Sequence, residues 1–129
     1  MRYLVTLLVL LALLLPSSGT ADELRPAAHI TSQTTTVMVA AVTGKQVQLM
    51  AGSICLDGNG ATTGVAIQDT GGTNIIGTSV VYVLAAGECL YFPRSNAPYG
   101  QVTASGTGLQ IVTTVGNGPI NAYFEAIQQ

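Results

Sequence analysis

Short runs of alternating apolar and polar residues, separated by glycine, aspartate and asparagine, fill the chain after residue 33. The clearest alternation is at the end, where Ile120, Ala122, Phe124 and Ala126 share one face, as in a half-buried β-strand. Fourteen threonines between residues 22 and 129, beside many valines and isoleucines, favour extended backbone over helix. We predict strands at 35–42, 46–56, 62–68, 74–76, 79–84, 89–92, 101–104, 109–115 and 120–127.

The second of these runs changes its buried face partway along. Val47 and Leu49 lie on one face of an extended chain, whereas Ile54 and Leu56 have the opposite parity. Gly52 lies between the two pairs, and an isolated glycine in a strand is typical of a β-bulge. We therefore predict a bulge at Gly52.

Eight or nine short strands, with no helical stretch between them, indicate a sandwich or a barrel. We predict an all-β fold: a single jelly-roll-like antiparallel β-sandwich of about eight strands over residues 34–129. Residues 22–33 contain Pro26 and show little periodicity, so we predict a flexible N-terminal arm there.

The first 21 residues have the three parts of a secretion signal. Arg2 is basic, residues 4–15 are almost entirely apolar, and small residues precede Ala21. A membrane-spanning helix would need about 20 apolar residues, so we interpret residues 1–21 as a cleavable signal peptide rather than an anchor. This predicts a secreted protein, extracellular or periplasmic, with no membrane attachment after cleavage.

Charge is scarce throughout the chain, at 8% of residues, against about 25% in average soluble domains. Residues 22–129 carry three basic and six acidic side chains, a net charge of −3 without a basic cluster, so nucleic acid is a poor partner. A surface with so little charge tends to associate. We predict a homo-oligomer, with a monomer that has a hydrated Thr- and Gln-rich surface as the alternative.

The two cysteines, Cys55 and Cys89, border separate predicted strands. We predict a disulfide between them, as export to an oxidising compartment allows. The alternative is a pair of buried thiols, which pack as small apolar residues. Two cysteines 34 residues apart and one histidine have no recognised zinc spacing.

The segment 34–49, with the sequence TTTVMVAAVTGKQVQL, resembles the opening of small β-sandwich domains in structural proteins of tailed bacteriophages. The later Ala85-Ala86-Gly87, the loop at 93–100 and the closing Tyr123-Phe124-Glu125 follow in a similar order. The resemblance implies a decoration- or fibre-type role without catalytic residues. It also implies an oligomer, for which a trimer is the expected state. The export signal departs from that family, and it favours an exported relative used on a cell surface or in an extracellular assembly.

Two turn segments contain residues that could have a chemical role. Asp69-Thr70-Gly71 is similar to the catalytic loop of aspartic proteases. In that family two such loops bring two aspartate carboxylates together, and these share one proton. That family continues with Ala or Ser, whereas this chain has Gly72, which favours an ordinary hairpin turn. Asp57-Gly58-Asn59-Gly60 begins like a calcium loop but has Ala61 at the next ligand position, so we predict a tight turn.

Tyrosines are the other candidate binding residues. Tyr82, Tyr91, Tyr99 and Tyr123 could form a carbohydrate-stacking platform, and Tyr99 is the best single ligand-binding candidate because it lies in the loop 93–100. His29, the only histidine, is predicted to be a solvated residue of the arm. We predict no catalytic residue, no metal site and no cofactor.

The function predicted from these patterns is a non-enzymatic, secreted structural or adhesive subunit that self-associates. A monomeric module that binds a surface carbohydrate or a receptor is the first alternative. An aspartic-protease-like homodimer built on Asp69 is the second.

Overall fold

The computed structural model describes residues 21–32, 34–76, 82–115 and 119–129. These residues form nine strands in two antiparallel sheets. The predicted signal peptide, except Ala21, lies outside the described residues, as do residues 79–81 of one predicted strand and the turn at 116–118. The strands are β1 Asp22–Leu24, β2 Ala27–Ile30, β3 Thr35–Val39, β4 Val47–Leu56, β5 Thr63–Asp69, β6 Tyr82–Leu84, β7 Cys89–Phe92, β8 Leu109–Val115 and β9 Ile120–Gln128.

The two sheets pack as a β-sandwich. In the five-stranded sheet, β9 and β4 are central, β7 is one edge, and β1 and β2 both pair with β9 at the other edge. The four-stranded sheet has the order β3-β8-β5-β6. The predicted all-β antiparallel sandwich is confirmed.

The pairing of strands is nested. β5 pairs with β6, β4 with β7, β3 with β8 and β2 with β9, all antiparallel. A long hairpin gives this pattern when it is rolled into two sheets, while the jelly-roll-like winding itself stays a prediction.

The core lies between the sheets and is aliphatic except for its phenylalanines. In β9 the predicted alternation places Ile120, Ala122, Phe124 and Ala126 in the core, with Phe124 fully buried. Leu49 and Ile54 from β4 and Ile67 and Ile111 from the opposite sheet complete its centre. Burial of each such side chain stabilises the fold by about 1.5–3 kcal/mol. The core therefore holds the two sheets together and fixes the position of their outer faces.

The bulge in β4 is present but lies before Gly52. Leu49 is opposite Ala126 and Ala51 is opposite Glu125, so the extra residue is Met50. The predicted change of buried face therefore occurs as expected, two residues earlier. Gly52 itself is paired normally, opposite both Phe124 and Phe92.

The prediction of a flexible arm over 22–33 is corrected by the structure, which has strands β1 and β2 there. Both pair with β9, and the main-chain carbonyl of Pro26, between them, accepts a hydrogen bond from the N–H of Phe124. The long strand β9 supplies the pairing partner that the short segments cannot supply themselves. Ile30 is buried in the core as a result.

Two weaker strand predictions also differ. Residues 101–104 form no strand, although the N–H of Thr103 donates to the carbonyl of Val47. The run 74–76 has only one isolated bridge, between Gln68 and Asn74. Within the described ranges, no helix has the length and apolar character needed to cross a membrane.

Candidate interaction faces of the sandwich

Among the residues that the structure describes, the outer face of the four-stranded sheet has only small, aliphatic and amide side chains. Residues directly opposite each other in an antiparallel ladder share a face, and the core residues Ile111, Val65 and Val39 identify the inner one. The outer face, here called the uncharged face, consists of Thr35, Val37, Gly64, Ala66, Gln68, Val83, Gln110 and Val112. None of these residues is charged.

The rims of the uncharged face are its most exposed apolar part. Val37, on edge strand β3, is 55% exposed, and Val83, on edge strand β6, is 65% exposed. Between them, Gln110 is nearly buried and Gln68 donates from Nε2 to Oδ1 of Asn74 at 2.9 Å. Ala66, also between the rims, is 2% exposed, so the centre of the face is largely buried and its exposed apolar part is the two rims.

The outer face of the five-stranded sheet, here called the tyrosine face, is different in character. Ser53 on β4 lies directly opposite Tyr91 on β7 and Tyr123 on β9, so the three residues form one row across the sheet. Tyr91 is 66% exposed and Tyr123 is 38% exposed. The row therefore presents two aromatic rings to solvent on either side of a small hydroxyl residue.

An ion-pair network borders this row. Arg94 donates from Nη1 to Glu125 Oε2 at 2.6 Å and from Nη2 to Glu23 Oε1 at 3.2 Å. The Arg94 hydrogen bond and charge, with a smaller effect from Arg25, hold the pKa of the Glu23 carboxyl below its ordinary value. All these groups are largely solvated except the Glu125 carboxylate, so the network orients side chains more than it stabilises the fold.

The predicted disulfide between Cys55 and Cys89 is present. The two residues are directly opposite in the β4–β7 ladder, on the tyrosine face, in the row next to Ser53 and Tyr91. The bridge therefore fastens edge strand β7 to the centre of the sheet. It also fixes the position of Tyr91 relative to Tyr123.

Tyr99, predicted as the best ligand-binding candidate, has a packing role in the structure. Its ring is half-buried and meets Phe92 edge-on, with ring centroids 5.4 Å apart. Its hydroxyl donates to the carbonyl of Pro93, and its N–H donates to the carbonyl of Leu49. These contacts close the loop 93–100 onto β4, so the exposed aromatic surface lies at Tyr91 and Tyr123 instead.

Asp69, the centre of the protease-like motif, caps its own turn. The side chain is 3% exposed, and Oδ1 accepts hydrogen bonds from the N–H groups of Gly71 and Thr73, both at 2.9 Å. Gly72 follows at φ +92°, a conformation that favours glycine over the alanine or serine of the protease family. The geometry is that of the predicted hairpin turn.

The remaining candidate residues are also engaged locally. His29 lies on β2, where its Nδ1 is hydrogen-bonded to Oδ1 of Asn121 at 2.7 Å. Asp57 begins a turn in which its carbonyl accepts from the N–H of Gly60. Across the part of the chain that the structure describes, no three His, Cys, Asp or Glu side chains converge as a metal site would require.

Sequence reasoning named Tyr91 and Tyr123 among four possible stacking residues, but it found neither their alignment through Ser53 nor the apolar rims at Val37 and Val83. Alternation with core residues predicts that such side chains are exposed, but it does not predict their neighbours across the sheet. Comparison with known proteins adds no assignment, since neither the protein-family models nor the curated proteins contain a match to this chain.

Proposed function

We propose that this protein is a non-enzymatic, secreted structural or adhesive subunit that self-associates through the uncharged face. The observation that carries the proposal is the charge distribution. The ion-paired residues Asp22, Glu23, Lys45, Arg94 and Glu125 all belong to the five-stranded side, whereas the described outer surface of the four-stranded sheet has no ion-paired residue. A sheet face without charge, rimmed by exposed valines, suits contact with another protein surface.

A second copy of the chain is the partner that fits this face best. A face of four strands and about six residues measures roughly 19 by 20 Å. Packing two such faces would bury roughly 760 Å² in total, which is below the lower bound of about 1,000 Å² for a specific interface. The short edge strands β3 and β6 border the face and can add backbone pairing to it, so the proposed assembly uses both the face and its edges.

The groups considered for catalysis support a non-enzymatic role. Asp69 is committed to its turn, Cys55 and Cys89 are bonded to each other, and His29 pairs with Asn121 on the opposite side of the sandwich from Asp69. The disulfide agrees with an oxidising environment. Secretion and assembly into an extracellular structure remain part of the proposal.

The experiment is sedimentation velocity on the chain 22–129 at micromolar concentrations. We expect a homo-oligomer, and we expect Val37→Lys and Val83→Lys each to weaken association by at least tenfold, because a lysine would be desolvated in the interface. Tyr91→Lys, on the tyrosine face and equally exposed, is the matched control and should leave the mass unchanged. A monomeric wild-type protein, or lysine variants that assemble like it, would overturn the proposal.

A further inference from the structure

The Tyr91–Ser53–Tyr123 row has the geometry of a stacking platform. Ser53 is opposite both tyrosines, so their backbones are two strand spacings apart, about 9.6 Å. The hydroxyl of Tyr123 donates to Oε1 of Glu125, two residues along the same face, at 3.3 Å. The side chain of Tyr123 therefore leans along its strand towards Glu125, and it is 38% exposed.

We infer that this row binds an extended, uncharged β-1,4-linked glycan chain laid across the strands. Alternate sugars of such a chain present the same apolar C–H face, and their repeat is close to the spacing of the two tyrosines. Each ring can then stack on one sugar, with the sugar between them above Ser53. Tyrosine suits this contact because its ring packs on the apolar face of a sugar while its hydroxyl can form a hydrogen bond.

Charge complementarity supports an uncharged ligand. Arg25 and Arg94 balance Glu23 and Glu125 beside the row, so the local surface has no net charge to attract a polyanion or a polycation. The network still offers hydrogen-bonding groups to sugar hydroxyls, because a guanidinium has five N–H donors. On the other side of the row, the exposed pair of His29 and Asn121 can bond the next sugar.

This inference goes beyond the proposed function and does not depend on it. The tyrosine face and the uncharged face are on opposite sides of the sandwich, so a monomer could bind glycan and an oligomer could lack it. Cys55 and Cys89 lie in the adjacent row and keep β7 in register, which makes the platform rigid before the ligand arrives.

The test is isothermal titration calorimetry of the chain 22–129 with cellohexaose, xylohexaose and chitohexaose, and with maltohexaose as the curved α-linked control. We expect at least one β-1,4 hexamer to bind and maltohexaose to bind at least tenfold more weakly. Tyr91→Ala and Tyr123→Ala should each weaken binding roughly tenfold, as expected for loss of a stacked ring.

Two controls separate the platform from a general loss of fold. Tyr91→Phe keeps the ring and should bind within about threefold of wild type, and Ser105→Ala, in an exposed turn that belongs to neither face, should bind like wild type. Unfolding midpoints of all variants are measured in parallel. No binding of any β-1,4 hexamer by the wild-type protein, or binding that survives both alanine substitutions, would overturn the inference.

Discussion

Gly52 lies where β4 approaches β9 most closely. An alanine Cβ at this position would be 2.4 Å from Cδ1 of Phe124 and 2.6 Å from the carbonyl oxygen of Tyr123. Ordinary van der Waals contact begins at 3.4 Å. Gly52→Ala therefore requires the two strands, or the ring, to move by close to 1 Å.

Neither partner can move freely. Phe124 is 0% exposed, so its ring is enclosed by the core, and the Tyr123 carbonyl belongs to the backbone of the central strand. Overpacking of a core commonly costs about 1–3 kcal/mol. With two short contacts, one of them to backbone, we expect Gly52→Ala to lower the free energy of unfolding by about 3 kcal/mol, a large part of the 5–15 kcal/mol typical of a domain.

Urea unfolding of the disulfide-intact chain 22–129 measures this loss. Gly58→Ala makes the same chemical change where the new Cβ meets nothing within 4 Å, and it should alter stability by no more than about 0.5 kcal/mol. Phe124→Ala combined with Gly52→Ala should cost less than the sum of the single changes, because the ring contact is gone. Equal stabilities of the Gly52→Ala and Gly58→Ala variants would refute the reasoning.

Two further predictions concern the disulfide and the turn. Replacing Cys55 and Cys89 together by alanine should lower the free energy of unfolding by about 3–4 kcal/mol, because the bridge closes a loop of 34 residues; an unchanged thermal midpoint would contradict this. Asp69→Ala should cost about 2 kcal/mol by removing the acceptor for Gly71 and Thr73, and Asp69→Asn should cost less because an oxygen remains; equal losses in urea unfolding would argue against the capping role.

The alternation of apolar and polar residues was enough to predict the strands that have one face in the core. In β9, every second residue from Ile120 to Ala126 is apolar, and all four are buried. In β4 the change of parity predicted a bulge, but its position depends on how β4 pairs with β9. An isolated glycine in a strand indicates a bulge, whereas the small size of Gly52 is needed at the next pair to leave room for the ring of Phe124.

Long-range pairing accounts for what the sequence could not predict. Strands β1 and β2 are three and four residues long and are separated by Arg25 and Pro26, too short for any period to be recognised. Their order comes from the free edge of β9, a hundred residues further along the chain. Strands β1 and β2 are therefore extended because they pair with β9, although their own sequences do not predict strands.

The tyrosine row depends on register in the same way. Tyr91 and Tyr123 are far apart in sequence, and only their common pairing with Ser53 makes them neighbours across β4. Its position in a loop predicts that Tyr99 is accessible, but the loop folds back and the ring packs on Phe92. Position in a loop predicts access only when the loop does not close on the core.

The two faces together give a reason for the low charge of the chain. Under the proposed function, a subunit that joins its copies through one sheet keeps that sheet free of charge, while the opposite sheet holds the ion pairs. An assembly formed through the uncharged face would leave every tyrosine row exposed and pointing outward. Contact of one row with a glycan is weak, since only two rings stack, but linked rows raise the effective affinity without any new contact. Self-association would thus turn a shallow platform into an adhesive surface, and a mutant that is monomeric but binds single hexamers normally should lose attachment to an insoluble β-1,4 glycan.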